Sequence, residues 1–209
     1  NFYTGRDSLV NNYDPVHKII RSALTGSMGP KMEANSEYWS GRKGKNFFSE
    51  HNEFTRVKGD ITQNLVATTL AVNAYILTGD HHYRDWVLEY VGAWRDRAAA
   101  NNGWVPSNIG PHGIVGEEWD GKWTGGIWGW NFDGYGGWQM LGRAVRTGFR
   151  NAALLGGPEF IDVLRTQGQR LIETRMKTPQ GLQFASVYND SGPRPVYSLN
   201  SPYASVVPW

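Results

Sequence analysis

The sequence predicts an all-α domain of antiparallel helical hairpins, an (α/α) toroid or an incomplete one, carrying long Trp- and Gly-rich loops. Three observations lead there. Tyr83 to Trp94 shows one apolar stripe at helical spacing, the segment before it is apolar on most faces and stops at a glycine, and an eight-residue turn pattern recurs further along the chain.

In chain order, Pro15 to Leu24 is the first candidate helix, with Pro15 at the first helical position after Asp14. Residues 26–58 are too polar and Gly-rich to assign. Asp60 is the expected N-cap of a helix that runs through Leu77, with Gly79 as its stop. Ile61, Leu65, Val66, Leu70, Ala71, Val72, Ile76 and Leu77 spread around this helix, so it should be an inner helix, buried on several sides. Gly79–Asp80 is so short a link that the next helix must run antiparallel. In that helix Tyr83, Trp86, Val87, Tyr90, Val91 and Trp94 share one face, with Arg84, Asp85, Glu89 and Arg95 elsewhere.

Asn73-Ala74-Tyr75-Ile76-Leu77-Thr78-Gly79-Asp80 then lines up with Asn151-Ala152-Ala153-Leu154-Leu155-Gly156-Gly157-Pro158. The alignment sets Trp86 opposite Leu164 and Trp94 opposite Ile172. A second hairpin is expected from about Trp138 to Leu155 and from Pro158, as first helical residue, to Met176. Pro179, Pro193, Pro195, Pro202 and Pro208 argue against helix in the tail. All 209 residues read as a single domain. Five helices cannot close a ring, so the expectation is an incomplete or unusually small member of its class.

Composition narrows the function. With 19% charged residues and a net charge of +2, the chain has no charge block to attract nucleic acid or an anionic membrane. Its pI of 8.8 would suit an anionic substrate. No stretch approaches the roughly 20 apolar residues of a membrane span. The absence of Cys removes disulfides, zinc–thiolate sites and thiol nucleophiles together. His81-His82 and the scattered carboxylates lack a ligand spacing, so no metal is expected, and no cofactor either. No Gly run continues into the Gly-Lys-Ser/Thr of a phosphate loop. The chain opens on Asn1 without a signal-peptide apolar stretch, which is expected of a mature, processed or excised chain. A secreted or periplasmic location is expected. Nothing in the pattern sets an oligomeric state.

Residues 101–137, Asn101 to Gly137, separate the two hairpins and follow neither helical nor strand periodicity; connections of this length are usually functional. Trp104, Trp119, Trp123, Trp128, Trp130 and Trp138 lie in or beside this loop, six of the ten in the chain. Flat indole faces suit the C–H faces of sugar rings, and the glycines allow a tightly folded loop. Trp104, Trp119, Trp123, Trp128 and Trp130, with Asn131 and Lys122, are therefore the candidate substrate-binding residues. The alternative is a structural lid over one end of the helices. Asn108, His112, Glu117, Glu118, Asp120, Asp133 and Tyr135 are interleaved with the tryptophans, and Arg143 lies just beyond. His112 stands in Gly110-Pro111-His112-Gly113 with no apolar periodicity around it, which marks it as a candidate for catalysis. His81 and His82 read as solvated, and His51, in Glu50-His51-Asn52-Glu53, could border a cleft.

The turn at 73–80 and the Trp-rich inter-hairpin loop make the chain resemble the α/α-toroid polysaccharide lyases, particularly the alginate and glucuronan lyases, over about Asp60 to Met176. The resemblance implies an Asn, a His, a Tyr and an Arg acting together on a uronic acid, usually without a metal. Residues of those types here are Asn108, His112, Tyr135 and Arg143. The implied reaction is β-elimination on an acidic polysaccharide or oligosaccharide. Donors at the carboxylate stabilise the enolate-like charge, and a His or Tyr moves the proton. Tyr135 would need a nearby cation such as Arg143 to lower its pKa from about 10. Two alternatives stand beside this. One is a glycoside hydrolase or sugar epimerase of (α/α) fold, the hydrolase drawing a carboxylate pair from Glu117, Glu118, Asp120 and Asp133. The other is a noncatalytic carbohydrate-binding protein, for which the tryptophans suffice.

Overall fold

The turn that closes the first hairpin follows from its four residues, Leu77-Thr78-Gly79-Asp80. The computed structural model describes residues 13–21, 59–118, 120–123, 141–173, 175–179, 181–185, 188–189, 192–193 and 197–198. Helix α1 (Thr68–Thr78) ends where Gly79 takes a left-handed φ of 68° and donates its N–H to the Tyr75 carbonyl at 2.8 Å. Glycine, having no Cβ, adopts that φ without strain. The Thr78 hydroxyl donates to the Ala74 carbonyl and accepts from the Asp80 N–H. Asp80 then caps α2 (His81–Ala100), its carboxylate accepting the His82 N–H at 3.0 Å.

The second hairpin repeats the plan with α3 (Arg146–Gly156), Gly157 as its C-cap, and α4 (Glu159–Glu173). Thr68 and Arg146, the starts of α1 and α3, are 78 positions apart, and so are His81 and Glu159, the starts of α2 and α4. Both first helices have 11 residues. The aligned turn octets therefore mark a repeat of architecture.

How the hairpins sit together is fixed by α1 and α3. Asn151 on α3 donates to the hydroxyls of Thr68 and Thr69 on α1 at 2.9 and 3.1 Å. Three residues earlier, Gly148 lies so close to Leu65 that an added Cβ would come within 2.9 Å of it. Position rises along both helices together, so α1 and α3 run side by side and parallel. Helix α2 packs against both. Its apolar stripe forms the core as its spacing predicts: Trp86, Val87, Tyr90, Val91 and Trp94 are buried, and Tyr83 is half-buried. Trp86 and Tyr90 stack at 5.3 Å, and Tyr13 meets both rings edge-on. Phe149 and Ala152 of α3 and Phe160 and Leu164 of α4 complete the packing.

Four expectations are corrected. Helix α1 is not enclosed: Ala71 and Val72 face the core, while Leu70, Ile76 and Leu77 are exposed, Leu77 at 83%. Its neighbours α2 and α3 cover only the small-residue side. Residues 15–20 do not form a helix. Tyr13–Asp14 (β1) pairs antiparallel with Ile19–Ile20 (β2), because Asp14 accepts the Val16 and His17 N–H groups and closes a turn instead of starting a helix. Asp60 is not an N-cap. It belongs to β3 (Asp60–Ile61), is fully buried, and is followed by a 3-10 turn, Thr62–Ala67, that has no side-chain cap. The last helix stops at Glu173, and Met176 opens a strand instead. β5 (Met176–Thr178) turns at Pro179 and pairs with β6 (Gly181–Ala185).

Beyond that, β7 (Tyr188–Asn189) pairs with β8 (Gly192–Pro193), and β9 (Tyr197–Ser198) pairs with β6. Helix α3 is entered through a π-helical turn, Leu141–Val145, which packs beside the 3-10 turn before α1. The proposed start of that hairpin at Trp138 lies outside the described residues. The described chain is mostly helical, built on two antiparallel hairpins with small strand pairs around them. Among the described residues no helix is long and apolar enough to cross a membrane.

Candidate functional site

The topology gathers the described candidate residues at one end. Helices α1 and α3 start there, α2 and α4 finish there, and the loop after Ala100 grows from it. Far-off side chains pin this loop. Gln167 of α4 accepts the Val105 N–H and donates to the Gly103 carbonyl, and Arg170 donates to the Asn102 carbonyl. Asn108–Ile109 (β4) pairs antiparallel with β3, and Glu118 accepts the Gly59 N–H. The segment predicted as irregular is thus held by side-chain to backbone bonds that carry no sequence period.

Beneath it lies Asp60. Its carboxylate accepts the Ile20 N–H and Trp94 Nε1–H on one oxygen, and the Ile61 N–H and Asn64 Nδ2–H on the other. Tyr90 turns its hydroxyl toward the same group without full hydrogen-bond geometry. Burial pushes the Asp60 carboxyl up to about 6, against the pull of those donors and of the Arg97 charge. One buried carboxylate thereby ties β2, β3 and α2 together.

Above it, two histidines from distant parts of the chain meet. Gly110 and Gly113 close a turn, the Gly113 N–H donating to the Gly110 carbonyl, with Pro111 and His112 between them. A Cβ on Gly110 would overlap the Glu117 side chain, and Gly113 has a φ of +78°. The turn needs both glycines. Glu117 accepts the His112 main-chain N–H at 3.0 Å and its ring Nδ1. These bonds outweigh partial burial and hold Glu117 below the usual carboxylate range.

The second imidazole is His17, whose ring Nδ1 lies 2.8 Å from Asp14. Burial raises the Asp14 carboxyl, but the His17 ring and main chain, Arg21 and the Val16 N–H together hold it at about 2. The rings of His17 and His112 are 5.7 Å apart and nearly perpendicular. Arg97 of α2 clamps the two turns, donating to the carbonyls of His17, Lys18 and Gly113. Sequence reasoning missed His17, Asp14 and Arg97. The signal for the first pair was Asp14 three residues before His17, hidden by the helix assigned there.

Of the predicted site residues, His112 is exposed, its side chain at 68%. Lys122 is exposed. Arg143 is exposed in the Leu141–Val145 turn, at the same end of the bundle. Asn108 is enclosed, 1% exposed in β4, so its amide cannot meet a substrate arriving from solvent with His112. Trp104 is 7% exposed and stacked on Trp123 at 5.7 Å, so it fills the core, whereas Trp123 is half-buried. Tyr135, Trp119, Trp128, Trp130, Asn131 and Asp133 lie outside the described residues, as does His51. His81 stands exposed at the opposite end, against Tyr75. Among the described residues, no group of three or more His, Asp or Glu side chains is placed to hold a metal ion.

The model of the family described as "Domain of unknown function (DUF8034)" matches residues 40–193. No curated protein and no solved structure matches the chain.

Proposed function

We propose a function on the premise that the chain belongs to the DUF8034 family: it is a polysaccharide lyase that cleaves a uronate-containing glycan by β-elimination, with His112 as general base. One observation carries the reading. His112 is exposed on a Trp- and Gly-rich loop while Glu117 accepts its Nδ1–H, which leaves Nε2 as the ring's proton-accepting atom. A carboxylate has no proton to give, so the ring nitrogen it holds must be the donor. Arg143, exposed at the same end, is the candidate partner for the uronate carboxylate. Tyr135 remains the phenol that the resemblance to alginate and glucuronan lyases implies. Asn108 is set aside from this scheme because it is enclosed.

The hydrolase reading is weaker, because Glu117 is engaged by His112 and Glu118 by the Gly59 N–H, so neither stands as one of a free carboxylate pair. The parallel α1 and α3 and the open apolar side of α1 support reading the hairpins as two units of an α/α toroid. The test is His112→Gln, assayed by the ultraviolet absorbance of unsaturated uronate. It should lower kcat by about 100-fold or more with substrate affinity little changed. Normal turnover in that variant removes His112 from the mechanism.

A further inference from the structure

We propose that His17 is a second catalytic imidazole, which delivers the proton to the leaving oxygen, and that the pair therefore acts by syn elimination. The substrates are then uronates whose C5 hydrogen and C4 oxygen share one face of the sugar, the glucuronate and mannuronate configurations. This deepens the elimination reading and rests on it.

The two imidazoles are built alike. Each gives Nδ1 to a carboxylate, His17 to Asp14 and His112 to Glu117, so each keeps Nε2 as its exchanging atom. Both are accessible, with side-chain exposures of 32% and 68%, so neither serves to fill the core. They come from turns far apart in the sequence, and Arg97 holds both turns through three carbonyls. Among the described residues, the charged groups bonded to the pair or its turns are Asp14 and Arg21 from the N-terminal hairpin, Arg97 from α2, and Glu117 from the loop.

Elimination needs one group to accept a proton and another to deliver one. Neutral His112 Nε2 takes the C5 proton, the C–H electron pair becomes the C4=C5 double bond, and the C4–O4 bond breaks. O4 leaves with its electron pair and takes the proton from protonated His17. No oxidant, reductant or co-reactant is consumed, and exchange with solvent resets both rings. The geometry also decides the face. Groups working on opposite faces of one sugar must have that ring between them, with about 3–3.5 Å to each reacting atom. Rings 5.7 Å apart in edge contact leave no such gap. Both must act from one side.

The test pairs substrates with variants of the full chain. Polyglucuronate and polymannuronate should yield ultraviolet-absorbing products, and polygalacturonate and polyguluronate, in which C5–H and O4 lie on opposite faces, should not. His17→Gln should lower kcat about 100-fold or more, with KM little changed. Asp14→Asn, which keeps the imidazole but loosens its tautomer, should show a smaller fall in kcat. Arg97→Lys, the positioning change, should lower kcat rather than raise KM. Wild-type kcat in both His17→Gln and Asp14→Asn overturns the pair while leaving the lyase reading intact. Elimination confined to polygalacturonate or polyguluronate overturns the syn geometry alone. Absence of elimination on all four overturns the lyase reading and this inference with it.

Discussion

Asp60 and Glu117 are both carboxylates that accept main-chain and side-chain donors, yet their surroundings drive them in opposite directions. Glu117 sits near solvent, where the His112 bonds prevail and hold its carboxyl low. Asp60 is fully buried, where desolvation exceeds the effect of its donors and raises it to about 6 from 3.8. A raised folded pKa means that the native state binds the proton more tightly. The stabilisation is fully present below about pH 4 and disappears as pH rises through about 6. Denaturant unfolding at a series of pH values should therefore show wild type losing about 3 kcal/mol relative to Asp60→Asn between pH 4 and pH 7. A constant difference across that window contradicts the assignment. Asp60 was misread because an Asp before an apolar run is the usual mark of an N-cap, and only the Ile20, Trp94 and Asn64 partners show otherwise. The exposure of His112 was legible from Gly-Pro-His-Gly, where nothing apolar would bury it. Its partner Glu117, five residues on, was taken for a rival acid.

Periodicity and turn chemistry made the helices legible, but not what surrounds them. The α2 stripe specified its own burial, so Trp86→Ala should cost about 3–5 kcal/mol in chemical denaturation. A loss under 1 kcal/mol would contradict the packing of Trp86 on Tyr90 and Tyr13. Helix α1 is equally apolar, yet its composition could not say which neighbours exist. Leu77→Gln should accordingly change stability by no more than about 0.5 kcal/mol, because that side chain is open to solvent. The Leu-Thr-Gly-Asp turn that carried the resemblance is explained by helix termination alone: a left-handed glycine, a threonine that bonds backward and an aspartate that caps forward. Such a turn recurs wherever two helices must reverse in two residues. It argues for hairpins and says little about chemistry. The loop after α2 was hard to read because its anchors, Arg97, Gln167 and Arg170, lie on helices and act on backbone carbonyls, a contact with no preferred sequence spacing.

At the scale of the molecule, the two hairpins in parallel place the described part of the loop after α2 at one end, and two carboxylate-held histidines meet there. The family match over residues 40–193 covers the His112 loop and both hairpins, but not His17. If the pair matters, the N-terminal hairpin is part of the working unit as well, held by Arg97 and the Asp60 bond to Ile20. The central claim is elimination at a uronate, and one measurement addresses it most directly: ultraviolet absorbance, followed alongside new reducing ends, while the full chain acts on polyglucuronate and polymannuronate. The account predicts that absorbance and reducing ends rise together, one unsaturated residue for each bond broken. Reducing ends that accumulate with no absorbance would mean hydrolysis, and would contradict it.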